Sequence, residues 1–512
     1  MGQLQGCGKQ TNKGMRALHS LVPITLAVAL TATACGSAAT ASTNAKATAT
    51  TASPATTAKK PSGATPSGSG GGGGSAPSGS RPSGSPPSGT GGSGGASSGG
   101  GPGAGGASST AVTGTGSYTL AGGTATKSTA TITAASTNES GVVVKSAGKL
   151  TLSDVTVSTT GASSSSDDSS FYGLDSGVLA FTGSFVNETG GSVTTTGNGA
   201  NAVFAYGSGA TVTISGTKIT ATGQYSHGIM ASGGGTVAAS NLDISTAGGS
   251  SAAVATDRGG GTITVNGGTY KTTGSTSPGL YSTGTITASG ATFDATGSEA
   301  AVVEGSNSIT VTDSSLTGSI SRGVMIYQSF SGDAQGEQGR FTGTGGSLTA
   351  LSGPLFYVTN TSAMIKLSGV KLSASSGIVL NAAAGNWGTS GSNGGNVTLD
   401  AAGQTLPGNV TVDKLSTAVL NLTDGSSLTG AIDTANTAKS VTLSLDKTSK
   451  WTVTANSYLT VVDDSAAISG TTISNIIGNG HTVYYSESAN PSLGGKTYTL
   501  AGGGTLTPAS QA

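Results

Sequence analysis

From about residue 124 the chain alternates apolar and polar positions in short bursts, and the bursts recur. KLTLSDVTVSTTG begins at 149, and variants of it begin at 185, 211, 236, 262, 285, 308, 340 and 364. Repeats of this length are stacked supersecondary units. The second position of the pattern is an apolar column: Leu150, Val186, Val212, Val237, Ile263, Ile286, Ile309, Phe341 and Ile365. The ninth position is another: Val157, Val193, Ile219, Ile244, Tyr270, Phe293, Leu316, Leu348 and Leu372. Between them the sixth position is Asp154, Gly190, Gly216, Asn241, Gly267, Gly290, Asp313, Gly345 or Gly369. These residue types tolerate a left-handed backbone at least cost, so each repeat reads as strand, one-residue corner, strand. A third strand precedes the pattern, as in GVLAF at 177, AVFAY at 202, GIMAS at 228 and GVMIY at 323.

Three short strands per coil, β-branched residues facing in and Gly at the corners predict an all-β fold, a right-handed parallel β-helix with three sheets. Val397, Val419 and Val441 carry the period toward the C-terminus. Antiparallel sandwiches would need a hairpin turn every 8–12 residues and would not keep one column over nine repeats. Over about 124–460 the chain resembles right-handed parallel β-helix proteins of the pectate-lyase-like and adhesin type. That resemblance implies a fold and leaves activity open, because such proteins include lyases, glycosidases, adhesins and autotransporter passengers.

The first 110 residues follow other rules. Lys9, Lys13 and Arg16 precede the apolar run Leu21–Leu30 and the small residues TATACGS, the layout of an export signal too short to span a bilayer. Ala32-Thr33-Ala34-Cys35-Gly36 resembles the bacterial lipobox, with Ala32 where Leu, Val or Ile is usual. The resemblance implies cleavage before Cys35, its lipidation, and a bacterial lipoprotein anchored to the membrane and facing outward. The other cysteine, Cys7, falls inside the segment to be removed. Met15 is an alternative start to Met1. Runs such as SGSGGGGGSAPSGSRPSGS have almost nothing to bury, so residues 35–110 read as a disordered tether. The expected organisation is 1–34 signal peptide, 35–110 tether, 111–483 β-helix and 484–512 C-terminal cap.

Composition narrows the function classes. Gly numbers 88 of 512 residues, charged residues are 9% and aromatics 4%, which disfavours helices and a large globular core. Seven of the 22 basic residues precede position 111 and no acidic residue precedes Glu139, so residues 111–512 carry 15 basic and 22 acidic side chains, a balance of −7. Nucleic acid is an unsuitable partner for such a body.

Candidate chemistry is sparse. In the third strand Val178, Val203, Ile229, Leu280, Val324 and Leu355 should face in, leaving Phe204, Tyr281, Phe356, and further on Tyr206 and Tyr327, facing out. With Trp387 these rings either meet the faces of sugars or stack on one another to stiffen the sheet. The long connections Gln328–Arg340 and Asn381–Gly395 leave the same corner two coils apart and could frame a cleft holding Phe330, Asp333, Glu337, Arg340 and Trp387. Asp333, Glu337 and Arg340 there are the candidates for a hydrolase, and Arg340, Arg322 or Arg258 for the base of a lyase. Asp167, Asp168 and Asp175 in the connection 161–177 are the candidates for calcium, without a recognisable calcium repeat; no other cofactor or metal is indicated. His227 and His481 are too far apart in sequence to suggest zinc or a triad, and His227 reads as an exposed corner residue. Thr-x-Thr pairs at Thr211, Thr262 and Thr285 suggest an ice-binding ladder interrupted by Asn187, Ala238, Gly343 and Lys366. The reading favoured is a noncatalytic, adhesin-like protein binding glycans or neighbouring surfaces, with a polysaccharide lyase or hydrolase as the alternative. The sequence is silent on oligomeric state.

Overall fold

The computed structural model describes residues 114–329, 336 and 338–509. Cys35, the segments 1–34 and 35–110, and Phe330, Asp333 and Glu337 lie outside them. Each coil contributes one strand to each of three parallel sheets, here numbered I, II and III in chain order. Val203–Tyr206 lies in sheet I, Thr211–Ser215 in sheet II and Lys218–Ala221 in sheet III, and the next coil begins with Ile229–Ser232 back in sheet I. Equivalent residues pair one coil on: Val203 with Ile229, Val212 with Val237, Ile219 with Ile244. Sheets I, II and III contain 12, 14 and 10 strands. The result is an all-β, right-handed parallel β-helix, the hand that parallel crossovers almost always take.

The corner between sheets II and III is as the repeat predicts. All nine sixth-position residues have φ between +46° and +67°. Asp or Asn recurs there every third coil, and its side chain leans over the glycine of the following coil. A methyl built on Gly190, Gly267 or Gly345 would run into the side-chain oxygen of Asp154, Asn241 or Asp313, whereas Gly216, Gly290 and Gly369 face open space. The corner thus combines left-handed backbone at every rung with a steric demand for glycine at one rung in three.

Alternate residues of each strand fill a continuous apolar interior, with Tyr270 and Phe293 stacked at 4.7 Å on adjacent rungs of sheet III. Two interior details depart from the expected pattern. Phe356, expected outside, pairs with Val324 and faces the core, and Tyr357 takes the outward position. In GPLFYV both Leu355 and Phe356 satisfy the apolar requirement, and the strand settles one residue later with both buried. The second departure is Glu188, which occupies the inward position between Leu152 and Ile214, is 1% exposed, and has no hydrogen-bond partner on either carboxylate oxygen. Burial pushes its pKa up to about 8, so the proton stays on.

At the C-terminal end the three-sheet plan closes. Sheet III stops at Lys371–Ala374, and the side chain of Gln404 bridges to Val370 of the coil before, accepting from its N–H and donating to its carbonyl, both at 2.8 Å. A fourth sheet of nine strands continues beyond. In it the last two strands, Tyr498–Ala501 and Thr505–Pro508, pair antiparallel. One extends a ladder through Thr472–Ile477 and the other a ladder through Thr482–Tyr485, so the final hairpin joins two columns of the stack into one sheet. Antiparallel closure of this kind leaves fewer open strand edges.

Candidate functional site

Sheet I is the face where the regular coil is interrupted. The connection 161–177, loop-like in its sequence, contains a short helix, α1 (Ser166–Tyr172). Ser165 caps it, accepting from the Asp168 N–H at 3.1 Å, and Gly173 ends it in the left-handed conformation. This cap chemistry was present in the sequence, but seven residues give too short a hydrophobic period to detect. Around the helix the Phe171 carbonyl accepts from the Ser232 hydroxyl at 2.6 Å, the Arg258 guanidinium lies 3.7 Å from the Phe171 ring centre, and Tyr172 meets Tyr206 edge-on at 5.3 Å.

Beneath this cover the outward residues of sheet I form a second apolar core containing Leu179, Phe204, Met230, Tyr281, Val302, Met325 and Tyr327, with Tyr206, Tyr357 and Trp387 packed at its margin. The expectation of an open aromatic face is corrected here. Phe204 is 0%, Tyr281 8% and Tyr327 1% exposed, because apolar rings on one side of a sheet recruit a covering layer. Only Tyr206, Tyr357 and Trp387 remain half-buried at its edge. With Phe356 in the main core, the six rings singled out from the sequence occupy three different environments.

The middle of this face is polar and closed on itself. Glu304 accepts hydrogen bonds from the hydroxyls of both Tyr281 and Tyr327, the second at 2.7 Å. Burial, followed by the adjacent Glu304, holds both phenols well above their ordinary pKa. One corner away, Glu299 pairs with Arg322 at 3.3 Å, and Arg322 also lies over the Tyr357 ring at 4.5 Å. A lyase base needs a group poised to give up its proton near neutrality. Here the phenols are held protonated and Arg322 is engaged by a carboxylate.

The connection 383–394 supplies the other wall. Asn393 ties it down, donating to the carbonyls of Gly385 and Trp387 at 2.7 and 2.8 Å, and Trp387 packs on Tyr327 at 5.3 Å between ring centres. It joins a sheet I strand ending at Ala382 to a sheet II strand beginning at Gly395, the same corner at which Tyr327 ends and Gly339 begins a strand, as expected. Arg340, however, is exposed on the outer face of sheet II, paired in register with Ser308 and Met364, and lines a shallow hollow with Ser306, Gln338 and Ser362. It is therefore not beside Trp387. Arg258, on its aromatic partner, is equally committed.

His227 is buried, contrary to the expected exposed corner. Its Nδ1 accepts from the Ala252 N–H at 3.0 Å and its own N–H donates to Asn201 at 2.8 Å. Burial lowers its pKa to about 4, so it is a neutral rung in a polar ladder. Asp167 and Asp168 lie in the first turn of α1, apart from the buried Asp175. Among the described residues no three His, Cys, Asp or Glu side chains are grouped to hold a metal. On sheet II, Thr264, Thr287, Thr310 and Thr342 are aligned outward and Gly343 faces in. The threonine ladder is therefore one rung longer than its sequence suggested, though Asn187, Ala238 and Lys366 still interrupt it. Among the described residues no helix is long and apolar enough to cross a membrane. Compared with known proteins, the chain matches no family model and no curated relative.

Proposed function

We propose that this is an exported, surface-displayed binding protein without catalytic activity. On this reading it is held at the membrane through Cys35, raised by the 35–110 segment, and engages glycans or a neighbouring surface through the margin of sheet I around Trp387, Tyr357 and Tyr206. The observation that carries it is the state of the polar groups on that face. Tyr281, Glu304, Tyr327, Glu299 and Arg322 satisfy one another, which suits a rigid support for half-buried rings and not a proton-transfer site. Half-buried aromatic rings present an apolar face with a polar edge, the chemistry sugars engage.

The test is a glycan array run beside a turnover screen on acidic and neutral polysaccharides, with a Cys35→Ser variant fractionated in parallel. Binding without turnover, together with release of Cys35→Ser from the membrane, is the expected outcome. Turnover lost on changing Asp333, Glu337 or Arg340 would instead establish the lyase or hydrolase reading.

A further inference from the structure

The corner that leads into sheet I carries a serine in three successive coils. Ser226, Ser251 and Ser277 each stand three residues before the first inward residue of the next sheet I strand. Each hydroxyl donates to a glycine carbonyl of the preceding coil: Gly197 at 2.9 Å, Gly223 at 3.1 Å and Gly248 at 2.8 Å. Asp175 holds the same rung in the coil that begins at Val178. The carbonyl equivalent to those glycines is that of Ser136, two residues past the sheet III strand Thr131–Ala134.

An ionised carboxylate has no hydrogen to give that carbonyl, so two electronegative groups meet where the other coils place a donor and an acceptor. The coordinates show the meeting directly. A methyl built on Gly161 would run into the Ser136 carbonyl oxygen and lie 3.2 Å from Asp175 Oδ1, so both oxygens face one small space. Asp175 is 0% exposed, and neither of its oxygens has a hydrogen-bond partner. One rung back lies the half-buried Glu139, whose carboxylate accepts from the Ser136 N–H at 3.2 Å. The Ser136 carbonyl keeps the backbone donor of its rung, the Glu139 N–H at 3.2 Å, as Gly197 keeps the Ala200 N–H at 3.3 Å, but it lacks the added serine hydroxyl.

We propose that a calcium ion binds at this corner, held by the Asp175 carboxylate and the Ser136 carbonyl and completed from the solvent side by Glu139 and water. Hard oxygen donors with two carboxylates suit calcium better than a softer metal. The ion supplies the positive charge that the serine hydrogen supplies elsewhere. It thereby pins the end of the 161–177 connection, and α1 with it, to the first described coils. The inference is independent of what the sheet I face binds.

The experiment is thermal unfolding of the full chain at pH 7.5 in EDTA and in millimolar calcium, with magnesium for comparison. The wild type is expected to melt several degrees higher in calcium, following the mass-action gain of a ligand that binds only the folded state. Asp175→Ser, which restores the residue the repeat uses, is expected to melt at one temperature in both buffers. Glu139→Gln, changed at a half-buried position, is expected to need at least tenfold more calcium for the same rise. An unshifted wild type would overturn the proposal, and stabilisation on acidification beside it would show that a proton fills the space. An equal calcium rise in Asp175→Ser or an unchanged calcium midpoint in Glu139→Gln would also overturn it.

Discussion

The outer faces of sheets I and II share one chain and one ~4.8 Å rise per coil, yet they are finished in opposite ways. Between 211 and 312 the outward residues of sheet II are Thr, Ser, Asn and Ala, rung after rung. The same coils of sheet I carry Phe204, Met230, Tyr281, Val302 and Glu304, much of it under α1 or beside Trp387. This architecture varies at its corners. Long insertions sit at the corners before and after sheet I, and each brings side chains that need partners, so the face acquires a second core and an internally satisfied polar network. The inside of sheet II must do all of that sheet's packing. Its outside remains plain.

Truncation should separate the two faces most. Phe204→Ala should cost about 3–5 kcal/mol, the price of a large ring lost from a closed core, whereas Thr264→Ala on sheet II should stay within ~0.5 kcal/mol. Denaturant melts of the two variants decide it, and a Phe204→Ala loss as small as that of Thr264→Ala would mean that the second core is not packed.

The inward side of sheet II offers the next effect. Glu188 keeps its proton in the folded state up to about pH 8, while the unfolded chain releases it near 4.5. The stability this group contributes is therefore complete below about pH 4.5 and declines at roughly 1.4 kcal/mol per pH unit as pH rises toward 8. Asp464, raised by burial to about 6, acts in the same direction. His227, lowered to about 4, acts in the opposite one, its contribution being lost as pH falls below about 6.5. The difference between wild type and Glu188→Leu isolates the one residue: the gap in favour of the variant should widen by about 4 kcal/mol from pH 4.5 to pH 8. A gap that does not change with pH would place the carboxyl in water.

The smallest effect separates two glycines that look alike in sequence. Gly267→Ala and Gly290→Ala both force a β-carbon onto left-handed backbone, at about 1 kcal/mol. Only at Gly267 does the new methyl also meet Asn241. Gly267→Ala should therefore melt below Gly290→Ala, and Asn241→Gly should erase the gap. Equal melting would show that the leaning side chain gives way freely.

The coil plan was legible because it is written in columns. Val212 is followed by Val237 and Ile263 on one face, and Gly or Asp must stand where φ turns positive, so chemistry and period agree. The register of the strand at 356 was not legible, since Leu355 and Phe356 are both apolar and nothing local chooses between them. The burial of Phe204 and Tyr281 was not legible either. Alternation tells which side of a strand a ring occupies, and whether that side is covered depends on α1, whose seven residues carry almost no pattern of their own. Glu188 was visible only as the polar break in the column Leu152, Ile214, Val265. The Tyr281–Glu304–Tyr327 contact joins three coils and has no sequence spacing that announces it.

On the proposed function, the margin of sheet I is the binding face and the outside of sheet II is inert. This is tested most directly by measuring the affinity of an array-selected glycan for the wild type, Trp387→Ala and Thr287→Ala. At least a tenfold loss is expected for Trp387→Ala and none for Thr287→Ala, with melting temperatures of both near wild type. Undiminished binding by Trp387→Ala, or a loss confined to Thr287→Ala, would contradict it.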